Sequence, residues 1–250
     1  MLTLLKCKNG LQLLAAWAMY GICASGFMVA PAMIHAADSA AAATAEADPY
    51  AAYGTLVPEA KEREYQRQFR QRQTSTRTLS ASLSQRLYMR GVRRPVISTA
   101  RVAYEAPASF AVRYIQPEGE YLILRKGHLE LQRRGKPLVV KDIGRGDGDM
   151  SKAGPLMLLD LFRDGGASYE SGYDVSMRES GGRLTVILQA KGGGGSRPSL
   201  IRTTLSLPSL ELVEIDVTFS DQNRITYGFS SIQRNGSLDA GAFVSGETKH

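Results

Sequence analysis

Few side chains in this 250-residue chain are suited to covalent or metal chemistry. Its cysteines, Cys7 and Cys23, both lie near the N-terminus, and its histidines are His35, His128 and His250. A zinc site needs three or four Cys, His or carboxylate ligands, and beyond His35 the chain offers two histidines and no cysteine. A Ser–His–Asp triad would have to use His128, which no Gly-x-Ser-x-Gly elbow accompanies. Asp147 and Asp149 fall in a glycine-rich loop, GRGDGDMS over 144–151. That loop has no apolar surroundings to lift a carboxyl pKa for acid–base work. It also lacks the spacing and closing Glu of a calcium-binding EF-hand. KGGGGS over 191–196 puts its lysine before the glycines, the reverse of a phosphate loop, and Pro198 and a strand pattern follow it. These residues argue against an enzyme and imply no metal and no cofactor.

What the chain has in quantity is patterned hydrocarbon. Leu83, Phe110, Val112, Tyr114, Ile123, Leu129 and Leu131 fall in segments with strand-like apolar periodicity, and Leu156, Leu159 and Phe162 in one apolar helix. The chemistry open to such residues is burial of an apolar ligand, which needs few polar groups. A curved antiparallel sheet can be solvated on one face, but its concave face has to be filled by side chains, helices or ligand.

The start of the chain sets the compartment. Lys6 and Lys8 precede an apolar run over 11–30, Pro31 breaks it, and Ala36 supplies a small residue for cleavage. Residues 1–36 therefore predict a cleaved secretory signal peptide and a periplasmic protein. The alternative is an uncleaved anchor, since the run is almost long enough to span a bilayer. Cleavage would remove both cysteines, so the fold would have no disulfide despite an oxidising compartment. Residues 37–250 suit one all-β domain and can bury an adequate core. The net charge of +7 includes the two leader lysines. The mature chain is mildly basic, which suits anionic lipid head groups or acidic partners. No dense Lys/Arg stripe marks it for nucleic acid.

Residues 37–58 are rich in alanine without a periodic apolar face and predict a disordered linker. Residues 59–73 predict a helix, with Glu59 and Arg63 at i, i+4 spacing and with Tyr65 and Phe69 on one face. Alternation then takes over. Strands are expected over 79–89, over 96–104 with Val96, Ala100, Val102 and Tyr104 on one side, and over 110–114, 121–124, 129–132 and 137–143. Lys126-Gly127, Gly181-Gly182 and Pro208-Ser209 mark hairpins, and further strands are expected over 173–178, 184–189, 200–207, 210–219 and 225–232. Between the two series, residues 154–162 (GPLMLLDLF) predict a helix so apolar that it must be buried, as a core plug or as a lid over a cavity. The total is about eleven strands and two helices, the spacing of a barrel or a strongly curved sheet.

The order of these features resembles the LolA-type periplasmic lipoprotein carriers over residues 59–245. The resemblance rests on the N-terminal helix, Leu83-Ser84-Gln85 in the first strand, and Pro107, Phe110 and Val112 leading to Gln116-Pro117. It continues through the Gly127 hairpin, the leucine-rich helix, four or five strands, and the closing Phe229, Asn235 and Phe243. Ala106 and Val112 stand where the family commonly has Arg and an aromatic residue. The resemblance implies an incomplete antiparallel β-barrel over 59–250, with helices covering a hydrophobic cavity. It implies a monomer that takes the acyl chains of a lipoprotein from an inner-membrane release complex to an outer-membrane acceptor. The first alternative is a relative carrying another lipid or lipid-linked envelope product, and behind it stand a ligand-free envelope scaffold and a secreted hydrolase. The cavity would be lined by Leu83, Phe110, Val112, Tyr114, Ile123, Leu129 and Leu131, with Leu156, Leu159 and Phe162 from the helix.

Overall fold

The computed structural model describes residues 48–142, 158, 172–192 and 198–245. The expected leader, the stretch up to residue 47, the loop over 144–151 and all of the helix expected over 154–162 but Leu158 lie outside the described residues.

Among the described residues, one antiparallel sheet of twelve strands dominates the fold. In chain order the elements are β1 (Thr55–Leu56), α1 (Glu59–Ser75), β2 (Thr78–Tyr88), β3 (Val96–Glu105), β4 (Ser109–Gln116), β5 (Tyr121–Arg125), β6 (His128–Gln132) and β7 (Val139–Asp142). They continue with β8 (Tyr173–Ser180), β9 (Arg183–Ala190), β10 (Leu200–Ser206), β11 (Glu211–Thr218) and β12 (Arg224–Arg234). The spatial order is β1-β8-β9-β10-β11-β12-β2-β3-β4-β5-β6-β7. Neither edge strand pairs with the other, so the sheet is an incomplete β-barrel. Most connections are tight turns. Lys126 and Gly127 both take positive φ (51° and 82°), as do Gly181 and Gly182 (55° and 72°). Two such residues form the loop whose twist matches that of the flanking strands.

Among the described residues, one long connection is made by α1. It carries the chain from β1, at one edge, to β2, beside β12, past the ends of five strands. Six inter-strand steps amount to about 29 Å along the sheet, and seventeen helical residues span about 25 Å. The helix therefore fits the chord of a curved sheet. Its anchors lie along one rim. The Lys61 ammonium is 2.7 Å from the Glu179 carboxylate at the end of β8. Tyr65 donates its hydroxyl to the same carboxylate. Arg72 donates to the Ser209 carbonyl in the β10–β11 turn and lies 3.3 Å from Glu211. Tyr65 and Phe69 pack from the same helix onto the apolar face of the sheet.

Two expectations are corrected here. The linker expected to reach residue 58 is folded from residue 48 onward. Ala51–Tyr53 form a 3-10 turn, Thr55–Leu56 pair with β8, Val57 is buried, and Asp48 accepts from Arg178. Ten residues contain no periodic face, yet one short strand and one ion pair hold them, which alternation cannot reveal. That strand raises the count to twelve. Val96 was expected to share the buried side of β3 and is exposed. It lies beyond the end of β4, whose pairing with β3 begins at Thr99↔Gln116, so β2 flanks it on one side and no strand shields it on the other.

Candidate functional site

The inner face of the sheet, the one crossed by α1, is a single apolar surface running from β8 to β6. Strand register shows how it is assembled. Leu79, Tyr104, Phe110, Leu124 and Leu129 form one cross-sheet row. Ala81, Val102, Val112, Leu122 and Leu131 form the next, and Leu83, Ala100 and Tyr114 a third. Phe110 and Val112 have no exposed surface at all. The register thus brings together six of the residues expected from sequence: Leu83, Phe110, Val112, Tyr114, Leu129 and Leu131. Leu158, the single described position of the internal helix, is helical and fully buried in the same core. Leu156, Leu159 and Phe162 lie outside the described residues.

Ile123 is a correction. It pairs with Ala111 and belongs to a second, smaller cluster on the outer face, with Ala103, Tyr121 and Ala242. Tyr121, Leu122, Ile123 and Leu124 are all apolar, so periodicity alone cannot say which pair points inward. The inward residues are Leu122 and Leu124. Leu238 and Phe243 of the C-terminal segment cover the outer cluster. The Arg113 guanidinium secures that segment by donating to the carbonyls of Ala242 (3.1 Å) and Val244.

The other half of the inner face went unassigned in the sequence. Leu184 and Leu188 of β9, Ile201 and Leu205 of β10, Ile215 and Val217 of β11, and Ile225 and Tyr227 of β12 complete it. Their alternation marks strands, but the pairing of β12 with β2 joins residues more than a hundred positions apart and leaves no local signal. Asn235 closes this joint. It takes positive φ, its Oδ1 accepts from the Arg77 amide (2.7 Å), and its Nδ2 donates to the Ser75 carbonyl (3.1 Å).

A polar belt crosses this apolar face. Thr203 lies opposite Ile215, Ile215 opposite Tyr227, Tyr227 opposite Gln85, and Gln85 opposite Ser98. The Tyr114 hydroxyl donates to Gln85 Oε1 at 3.1 Å. Burial raises the pKa of both the Tyr114 and the Tyr227 hydroxyls, so both remain protonated donors near neutral pH. Thr203 is 4% exposed, and its hydroxyl has no hydrogen-bond partner among the described residues. Buried polar groups are ordinarily paired, so this hydroxyl is a point where a bound polar atom would be stabilised.

His128 is exposed on β6, with Nδ1 2.5 Å from an Asp142 oxygen across the strand pair. Among the described residues no three His, Cys, Asp or Glu side chains gather in a way that could hold a metal ion.

No protein-family profile matches the chain, and no curated protein does. Several solved structures are similar to it. A LolA superfamily protein of Nitrosomonas europaea is 6% identical, covering 72% of this chain and 96% of its own, with a TM-score of 0.36. A lipoprotein, LppX, of Mycobacterium tuberculosis is 13% identical over 70% of this chain and 96% of its own, with a TM-score of 0.36. The Pseudomonas aeruginosa MucA/MucB complex contains a chain 6% identical over 73% of this one and 60% of its own, at 0.44. A LolA superfamily protein is thus among the solved structures similar to this chain, a likeness of fold at low identity.

Proposed function

We propose that the inner face holds the acyl chains of a lipoprotein or another lipid, and that the protein carries such cargo through the cell envelope without catalysing a reaction. In the fullest form of this reading, a periplasmic monomer receives a lipoprotein from an inner-membrane release complex and passes it to an outer-membrane acceptor. One observation supports it above others: the apolar inner face extends across both halves of an open sheet and is crossed by one polar belt.

Hydrocarbon burial supplies about 0.8 kcal/mol per CH₂, so such a face needs no catalytic or charged group to bind. The edges β1 and β7, which pair with no further strand among the described residues, matter for release. A closed barrel would have to break ladder hydrogen bonds to change its inner volume, whereas an open one changes curvature with every ladder intact. A carrier needs this, because cargo shifts a conformational equilibrium only by its differential affinity for the two states.

The test is mass spectrometry of lipid extracted from the protein after gentle purification from the envelope of its producing cell. The expected result is an acylated species at near-stoichiometric amount, and its identity separates lipoprotein cargo from another lipid. Protein that emerges folded and lipid-free, and that takes up no fluorescent fatty-acyl probe, overturns the proposal.

A further inference from the structure

The two rims of the sheet differ in how they treat charge and hydrocarbon. On the rim spanned by α1, four basic side chains of the helix pair with carboxylates, Lys61 with Glu179, Arg63 with Glu59, Arg67 with Glu64 and Arg72 with Glu211, while Arg77 and Arg183 are exposed there without an ion pair among the described residues. The opposite rim carries the β2–β3 hairpin, which projects past the end of β4. Residues 79–104 contain five arginines and no Asp or Glu. Arg86, Arg90, Arg93 and Arg94 are exposed, and among the described residues none of their guanidinium groups pairs with a carboxylate.

Large apolar side chains are exposed at the same place. Val92 is 51% exposed, Val96 49%, Ile97 61% and Ile115 52%, the last on the neighbouring end of β4. The hairpin base is held in place, because the Arg90 amide donates to Asn223 Oδ1 at 2.9 Å and Arg224 stacks over the Tyr88 ring. Three carboxylates lie on the neighbouring turns. Glu120 accepts from the Arg134 amide, Asp221 accepts from the Asn223 amide and side chain, and Glu118 is exposed.

We propose that this hairpin is a docking surface for an anionic lipid bilayer, with Val92, Val96 and Ile97 entering the head-group region and Arg90, Arg93 and Arg94 engaging lipid phosphates. Charge complementarity selects this occupant. Exposed β-branched side chains interleaved with unpaired arginines match an interface that is apolar below and anionic above. An acidic protein partner would match the arginines but leave no anionic plane for them to share. The inference rests on the proposed carrier function and deepens it, since the hairpin places the rim opposite α1 against the membrane that supplies or accepts cargo.

The experiment uses the protein as purified from the envelope, in a Trp17→Phe background, so that no native tryptophan is present whether or not the leader is retained. Val92→Trp introduces a reporter at the hairpin and Leu56→Trp a control reporter on β1. Each is mixed with vesicles of phosphatidylcholine and phosphatidylglycerol carrying brominated acyl chains. The expected result is quenching and a blue shift for the Val92→Trp reporter, absent for Leu56→Trp, and weakened by salt. Arg93→Glu and Arg94→Glu should lower partitioning about fivefold for each arginine removed, and more for the reversed charge. Equal quenching at both reporters, no quenching at either, or an equal spectral shift with soluble polyglutamate overturns the docking assignment. Docking that persists in protein shown to hold no lipid refutes the carrier function alone; retained lipid without docking refutes only the membrane surface.

Discussion

Thr203→Val offers a sharp test of the inner face, because the proposed carrier function gives it opposite effects in the empty and the loaded protein. The Thr203 hydroxyl is buried among Val186, Ile215 and the apolar rows, without a partner among the described residues. An unsatisfied buried polar group costs about 1–3 kcal/mol, and valine fills nearly the same space with a methyl group. The lipid-free protein should therefore gain about 1 kcal/mol, which for a domain of this size raises Tm by about 2–4 °C. If a polar atom of the cargo, such as an ester carbonyl, accepts from this hydroxyl, the loaded protein loses one hydrogen bond of about 0.5–1.5 kcal/mol. Lipid retention reads the sum of the two effects, about 1.5–2.5 kcal/mol, and should then fall about ten- to seventyfold. Urea titration of delipidated protein and competitive release of a fluorescent acyl probe measure the two effects. A destabilised lipid-free variant would mean that water or protein already satisfies the hydroxyl. Unchanged retention would remove Thr203 from the site.

Two further outcomes test the frame that holds this face. Gly54→Ala places a Cβ 2.1 Å from the Glu179 carbonyl oxygen, at a φ of +111° that side chains rarely adopt. It should detach β1 and release Val57, whose burial alone is worth about 1.5–3 kcal/mol. A urea midpoint shifted by less than an equivalent of about 0.5 kcal/mol would contradict that geometry. The second outcome concerns pH. Glu179 has a pKa lowered from its ordinary 4.5 by the Lys61 ammonium and then by the Tyr65 hydroxyl. Its contribution is therefore present above about pH 4.5 and fades as pH falls through the lower folded value. The pair is partly exposed and screened, so Glu179→Gln should lower Tm only slightly near neutral pH. That difference should close in acid; one that persists down to acid unfolding would remove the ion pair as its cause.

The strands were legible because inner-face rows such as Phe110-x-Val112-x-Tyr114 put one apolar residue in every two. The hairpin at Lys126-Gly127 was legible because its two-residue turn demands positive φ. Where both faces of a strand are apolar the signal vanishes, which is why Ile123 was assigned to the inner face while Leu122 and Leu124 hold that place. The β12–β2 pairing was illegible for another reason. Register across a sheet is set by complementary apolar faces and not by sequence distance, so a joint between residues such as Leu83 and Phe229 leaves no periodic mark. Half of the candidate face and the whole polar belt depend on that joint.

The belt and the rims together constrain how a lipid could lie. Along β2 the belt residue Gln85 is six positions from Leu79, the last inner residue before α1, a distance of about 20 Å. The inner-face positions between them are Ala81 and Leu83. On the other side of Gln85 the strand buries only Leu87 before reaching Arg90 and the exposed hairpin. The long apolar path therefore runs toward α1 and the short one toward the arginines. Hydrocarbon laid along the long path would put the first polar atoms of its head at Gln85, Tyr114 and Thr203, and the head group beyond them on the basic rim. The reverse orientation would bury a head group under α1, among Tyr65, Phe69 and Leu79, where burial of an unpaired polar group is costly. The asymmetry of the strand thus favours one entry direction, the rim that the β2–β3 hairpin occupies.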